Sequence, residues 1–326
     1  MLRIGILGAS GIAPAAVIRP ARRRTDVEVV AVASRRAESA HQFANHHRID
    51  RFYGDYSSLM SDPGIDLVYN ALPPSEHAKW SIAALEAGKH VLCEKPFAMN
   101  ADEAAKMLEA AQSTGCRLIE AFHDRYHPLS AELDAVKASG GLGEVLTLSA
   151  DFSSSNPFDP ASLRHDPRLG GGPLMDLGCY PVHWVRAFMG EEPKVVRASG
   201  TLNPLGADLS VTADLQFPSG AKALITSAML EEPGHLNSSL EVVGTEGKLV
   251  VKNLVFPSKG HSVTQSHNGL DRTWTVRGLE TYDHQLEAVV HGLKSGQELL
   301  TEGSDSLSNM KVIDGIYAAA GFGIVQ

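Results

Sequence analysis

Apolar residues dominate short blocks along the first third of the chain, at Arg3–Leu7, Val27–Ala33, Leu67–Ala71, His90–Cys93 and Arg117–Ala121. Short blocks that are nearly all apolar are the pattern of strands covered on both faces. Between them lie segments of helical period, Glu38–His46, Glu76–Ala87 and Ala101–Ser113. Asn100 stands where an N-cap belongs, with Glu103 placed to complete a capping box. The turns "SDPG" and "EAGK" put Pro or Gly at the breaks. Strand and helix alternating at this spacing predict a doubly wound parallel sheet.

After Phe122 the pattern changes. "EVLTLSADFS", "VVRASGTL", "LSVTADLQFP", "GAKALITSAML", "NSSLEVVGTEGKLVVKN" and "HSVTQSH" alternate apolar and polar residues, and "FPSGA" and "GTEGK" punctuate them as hairpins. They predict an open, mostly antiparallel sheet. Helical period returns at Tyr282–Leu293 and Ser306–Ala320. The reading is α/β followed by α+β, with a dinucleotide-binding domain at 1–122 and an α/β substrate domain at 123–326. A sheet with one face left uncovered by helices implies a partner for that face.

Composition narrows the classes. The 326 residues are 43% hydrophobic and 21% charged, with a net charge of −9. That balance disfavours nucleic acid and anionic membrane as main partners. The three cysteines, Cys93, Cys116 and Cys179, form neither a disulfide framework nor a zinc motif. No apolar run reaches the ~20 residues of a membrane span. "MLRIGILGAS" starts as a strand rather than as a cleavable leader, so a cytoplasmic location is expected. Of the 14 histidines, His46–His47 are adjacent and His123 and His127 lack a third ligand nearby, so no metal is expected.

Chemistry enters first at "GILGASGIA", a glycine turn between the first strand and a helix. Gly8 allows the tight turn, and Gly11 and Ala13 allow helix and strand to pack closely. Such turns present a helix N-terminus to pyrophosphate. Ser10 replaces the second glycine of the usual pattern. A simple tight βα turn would carry the same glycines, but the position at the head of a βαβ unit favours a dinucleotide, with Ser10, Gly11 and Ile12 against it. The second strand ends "VASRRAES". An acid about 20 residues past the glycine turn would bind the ribose 2′-hydroxyl of NAD. Ser34, Arg35 and Arg36 stand there instead, and guanidinium groups suit a 2′-phosphate. Cations are disfavoured at a helix start, so an anionic ligand explains the pair better than a solvated face. NADP is expected, with NAD less favoured.

The other candidate is "GKHVLCEKPFAMN". Ligands of doubly wound sheets bind beyond the carboxyl ends of the strands, and Glu94 and Lys95 stand at such an end before Pro96. This stretch resembles the Gfo/Idh/MocA oxidoreductases, which carry an E-K-P motif after the fifth strand. The resemblance runs nearly end to end, through "NALPPSEHAKWSIAALEAGKHVLCEKP", "EAFHDRYHP", "GGGPLMDLGCYPVHW", "LEVVGTEGKLVV" and "DSLSNMKVIDGIYAAAG". Many members carry His where Tyr180 stands. Tyr is similar to the branch containing glucose–fructose oxidoreductase, dimeric dihydrodiol dehydrogenase and NADP-dependent xylose dehydrogenases.

The resemblance implies Lys95, Asp176 and Tyr180 as the catalytic set, and Asn70, Pro73, His77, Glu94 and Lys95 among the cofactor contacts. The chemistry suits those residue types. Carbinol oxidation needs a base for the O–H proton; the ordinary Tyr pKa of ~10 is too high, and a nearby lysine ammonium lowers it. Asp176 would orient a hydroxyl or Lys95. Arg125, Arg164 and His183 are further candidates for substrate hydroxyls. The implied function is NADP(H)-dependent hydride transfer on a sugar or polyol, in a homodimer or homotetramer built through the C-terminal sheet. The alternatives are oxidation of a cyclic trans-dihydrodiol and a non-catalytic NAD(P)-sensing role. The presence of Lys95, Asp176 and Tyr180 together speaks against the last.

Overall fold

The computed structural model describes residues 1–323. The chain forms two compact units: Met1–Arg125 with Tyr282–Leu307, and Tyr126–Thr281 with the chain from Ser308 onward.

The first unit is built on six parallel strands: β1 (Leu2–Leu7), β2 (Val27–Ala33), β3 (Arg51–Tyr53), β4 (Leu67–Asn70), β5 (His90–Cys93) and β6 (Leu118–Glu120). Their order is β3-β2-β1-β4-β5-β6. The reversal between β1 and β4 is the switch point at which doubly wound sheets bind ligands. Four of the predicted strands are where the apolar blocks put them within a residue or so; the fifth is shorter, and β3 is an addition. The helix Ala101–Thr114 starts as expected, with Asn100 Oδ1 accepting from Glu103 N at 2.9 Å; Glu103 Oε2 reaches back to Met99 N at 3.1 Å.

One boundary needs correction. The break expected after residue 122 lies close to Arg125, but Tyr282–Leu307 groups with the first unit and not with the second. The reason is packing: Leu286, Val289 and Val290 are buried in the same apolar cluster as Ile4, Ile6, Val17 and Ile119. The Arg117 guanidinium pairs with Glu302 at 2.6 Å, and Thr301 Oγ1 donates to Glu120 O at 2.6 Å.

The second unit is an eight-stranded sheet: β7 (Val145–Ser155), β8 (Lys194–Leu202), β9 (Asp208–Gln216), β10 (Lys222–Leu230), β11 (Leu236–Gly244), β12 (Gly247–Lys252), β13 (Ser262–His267) and β14 (Leu270–Trp274). The order is β14-β13-β12-β11-β7-β10-β9-β8. Every pairing is antiparallel except β7 with β10, which run parallel. One face buries Leu148, Phe152, Val211, Ile225 and Leu240, and the helix Cys179–Met189 packs against β7 and β10. The opposite row carries Thr147, Ser149, Thr212 and Glu241, with Leu224 left 39% exposed. It is more polar than an uncovered apolar face would be.

Candidate active site

The glycine turn is shaped as its residues require. Gly8 has φ +93°, a region that favours glycine, and an added Cβ would lie 3.2 Å from Ala71 O. Gly8 N donates to Ala33 O at 2.9 Å, tying the turn to β2. Ile12 O accepts from Ala15 N and Ala16 N and so opens the following helix, which begins with a widened turn, Pro14–Ile18. Ser10 Oγ is buried without a hydrogen-bond partner among the described residues, and a Cβ on Gly11 would meet open space. A spare hydroxyl beside an uncrowded backbone fits a dinucleotide phosphate.

At the end of β2, Ser34 N donates to Tyr53 O at 3.2 Å. Arg35 and Arg36 follow, both exposed, immediately before the helix Ala37–His47. The Arg35 side chain also approaches the Tyr56 hydroxyl, and burial pushes that phenol's pKa up while Arg35 opposes the shift. Tyr56 meets Trp80 edge-on at 4.9 Å. The end of β2 thus carries two exposed guanidinium groups, one of them beside the Tyr56 hydroxyl.

The ends of β4 and β5 form the second cluster of the first unit. Asn70 is fully buried and its carboxamide serves the fold: Nδ2 donates to Ser81 Oγ at 3.0 Å, and Oδ1 accepts from Leu72 N at 3.3 Å. Pro73 leads into the turn Pro74–Glu76. His77 lies between two carbonyls, Leu72 O at 2.8 Å from Nε2 and Pro96 O at 2.9 Å from Nδ1. It therefore clasps the segment that carries Lys95; the Lys95–Pro96 peptide is cis. Burial, with a contribution from the Lys95 charge, holds the His77 pKa down. Glu94 is nearly buried and accepts from the Tyr69 hydroxyl at 2.6 Å. Burial and then Glu94 drive the Tyr69 phenol well up. His123 is also buried, with its ring 4.1 Å from that of Tyr282, and burial followed by the Lys95 charge takes it down to about 3. The Lys95 charge thus acts on both imidazoles, His77 and His123.

In the second unit, "GGGPLMDLGCYPVHW" forms a widened turn, Leu174–Gly178, that runs into the helix Cys179–Met189. Such turns recur at functional sites. Asp176 N bonds to Gly172 O at 2.9 Å, and its carboxylate pairs with the Arg164 guanidinium. Arg164 is 51% exposed against 17% for Asp176. Tyr180, one turn on, is 3% exposed and sits in an aromatic group with Phe152 at 5.5 Å and Trp184 at 6.1 Å. The helix approaches β10 so closely that a Cβ on Gly178 would lie 2.8 Å from Ser227 Oγ. Asn309 Nδ2 donates to Cys179 O at 3.2 Å and Asn309 Oδ1 accepts from Arg186 at 3.1 Å, pinning the same helix.

Gly8, Ser10, Gly11, Ile12, Ser34, Arg35, Arg36, Asn70, Pro73, His77, Glu94 and Lys95 therefore all fall on the carboxyl-end turns of the first unit, and Asp176 and Tyr180 share one helical segment of the second. Sequence reasoning did not single out Tyr56, Tyr69, Tyr282 or Asp208. Only Tyr69 carried a signal, as the residue before Asn70 at the end of an apolar strand.

Residues 2–122 match the family described as "Oxidoreductase family, NAD-binding Rossmann fold", and residues 131–250 match the GFO/IDH/MocA C-terminal domain. The chain is 34% identical over 321 residues to a D-xylose 1-dehydrogenase (NADP(+)) of Haloferax volcanii, covering 98% of this chain and 97% of that one. It is 35% identical over 295 residues to a trans-1,2-dihydrobenzene-1,2-diol dehydrogenase of Xenopus tropicalis, covering 87% and 88%. Among solved structures it resembles an aldose-aldose oxidoreductase from Caulobacter crescentus, with TM-score 0.89, 26% identity and coverage of 98% and 97%. A 3-ketoreductase from Actinomadura kijaniata in complex with NADP and TDP-benzene gives TM-score 0.90 at 25% identity, again covering 98% and 97%. With both of its halves matched and relatives aligned along nearly its whole length, the chain belongs to the Gfo/Idh/MocA family of oxidoreductases.

Proposed function

We propose that this protein is an NADP(H)-dependent oxidoreductase that moves hydride between the nicotinamide and a carbinol or carbonyl carbon of a sugar or polyol, with Lys95, Asp176 and Tyr180 as its catalytic residues. The observation that carries the reading is Asp176 and Tyr180 one turn apart on a segment pinned by Arg164 and Asn309. It is supported by the likeness to the NADP-dependent xylose dehydrogenase along nearly the full length of both chains.

NADP, when bound, supplies the hydride acceptor. Tyr180 handles the proton: as phenolate it takes the carbinol O–H proton while the carbon is oxidised, and as phenol it returns that proton in reduction. Lys95 keeps a positive charge for the reacting oxygen and favours the phenolate. Asp176 orients a neighbouring hydroxyl. Ser10 and the backbone at Gly11 and Ile12 hold the pyrophosphate, and Arg35 and Arg36 hold the 2′-phosphate, with NADP preferred over NAD.

A trans-dihydrodiol is the second reading, favoured by the aromatic group Phe152, Tyr180 and Trp184 and by the amphibian relative. A turnover screen with NADP, a panel of aldoses and a cyclic trans-dihydrodiol separates the two. Turnover of an aldose supports the first reading, diol turnover alone the second, and silence toward every compound with NADP bound contradicts both. We further place the enzyme in a reducing, cytoplasmic setting as a homodimer or homotetramer joined through the second sheet. The free thiol of Cys93 supports the reducing setting. No helix among the described residues is long and apolar enough to cross a membrane.

A further inference from the structure

The residue that fixes the start of the Asp176–Tyr180 segment lies far from it in sequence. Asp208 opens β9 and is 2% exposed. Its Oδ2 accepts from Leu174 N at 2.7 Å, and its Oδ1 accepts from the Tyr317 hydroxyl at 3.0 Å. Tyr317 is itself 4% exposed. Leu174 N is one of the first amides of the helical segment, which have no partner within the helix, and an acid at that end also suits the helix dipole. The loop before it is moulded to the carboxylate. Gly172 has φ +115°, and a Cβ there would lie 2.0 Å from Asp208 Oδ1. Gly172 O in turn holds Asp176 N at 2.9 Å. One carboxylate thus sets the loop, the first amide of the helix and, two residues on, Asp176.

We infer that Asp208 is a positioning residue for catalysis, with Tyr317 as its support: it fixes the register of the Leu174–Gly178 turn and so the places of Asp176 and Tyr180. Stability alone does not explain the choice of side chain. Neither bonded partner is a cation, and a carboxylate buried without one is costly. Burial accordingly raises its pKa to about 6 against the bonds from Leu174 N and Tyr317. Groups held in this way cluster at functional sites. The inference rests on the reading of Asp176 and Tyr180 as catalytic.

The test compares Asp208→Ala, Asp208→Asn and Tyr317→Phe in the full-length protein. Three quantities are read: kcat and KM on the best substrate of the screen, NADP affinity, and hydrogen exchange at the amides of Leu174–Gly178. A displacement on the order of 1 Å can cost roughly 10²-fold in rate, so Asp208→Ala should lower kcat by about 10- to 100-fold. Its NADP affinity should be unchanged and exchange at those amides should be faster. Asp208→Asn keeps an acceptor for Leu174 N and should recover most of both losses. Tyr317→Phe should lie between Asn and wild type, and it keeps the test open if the alanine variant fails to fold. Unchanged kcat per folded molecule in Asp208→Ala, or in Tyr317→Phe where alanine does not fold, overturns the positioning role. Unchanged exchange at Leu174–Gly178 overturns the anchor whatever the activity, whereas a wild type silent on the whole panel contradicts the functional reading instead.

Discussion

The Tyr69 hydroxyl donates to Glu94 Oε1 at 2.6 Å, at the end of β5 beside Lys95. Both side chains are buried or nearly so. Removing the donor deletes one hydrogen bond to a buried carboxyl group. Tyr69→Phe should therefore cost roughly 1.5–3 kcal/mol, the usual worth of a hydrogen bond to a charged group. Chemical denaturation measures it; a loss within a few tenths of a kcal/mol contradicts the expectation.

The arginine pair predicts cofactor choice. Arg35→Ala removes a charge-assisted contact to a 2′-phosphate worth ~1.5–3 kcal/mol. NADP affinity should fall by about tenfold or more while NAD affinity is spared. Titration of both cofactors into wild type and variant checks this, and tighter binding of NAD by the wild type refutes it.

His123 predicts acid sensitivity. Its folded pKa of about 3 lies below the ordinary 6.5 because burial and Lys95 disfavour the imidazolium. Below the ordinary value the unfolded chain takes up a proton that the folded one refuses. The contribution is therefore fully present at neutral pH and is lost as pH falls from about 6.5 toward 3, at about 1.4 kcal/mol per pH unit. Between pH 7 and about pH 5, His123→Gln should lose roughly 2 kcal/mol less stability than wild type. Parallel urea titrations at the two pH values decide it, and equal losses contradict it.

The second sheet predicts assembly. Its outer row mixes Ser149, Thr212 and Glu241 with the half-exposed Leu224. A self-complementary contact across such a row rests on polar pairs as well as apolar area. Leu224→Arg in a homodimer sets like charges near one another and should shift the protein toward monomer. Sedimentation equilibrium at micromolar concentration reads this, and a wild type that is monomeric throughout removes the proposed interface.

The legible parts of the fold are those in which local sequence decides the structure. β1, β2, β4 and β5 are mostly apolar blocks, and Asn100 with Glu103 marks a helix start in any context. β3 spans only Arg51–Tyr53 and β14 is mostly polar, so neither leaves a periodic trace. The helix Pro128–Ala138, capped by the His127 ring on Leu129 N, shows no Ser, Thr, Asp or Asn signal at its start. Periodicity finds the helix Thr281–Ser295 but cannot name its partner, and the return of Tyr282–Leu307 to the first core stays hidden. The site follows the same rule. Gly8, Arg35, Lys95, Asp176 and Tyr180 lie in contiguous motifs. Asp208 meets Leu174 and Tyr317 only through the fold, and nothing in its own sequence neighbourhood announces it.

The central claim is that Tyr180 moves the proton in an NADP-dependent oxidation. The most direct measurement is the rate of NADPH formation by wild type, Tyr180→Phe, Lys95→Ala and the double variant on one good substrate, with NADP affinity measured beside it. Tyr180→Phe keeps the ring among Phe152 and Trp184 and deletes only the hydroxyl. It should lower kcat by about 10²-fold or more with NADP affinity nearly unchanged. Lys95→Ala should be at least as slow, and the double variant little slower than the poorer single, because residues that act as a unit lose their effect together. Tyr180→Phe turning over at close to the wild-type rate, with chemistry rate-limiting, would contradict the claim and pass the proton to Lys95 or water.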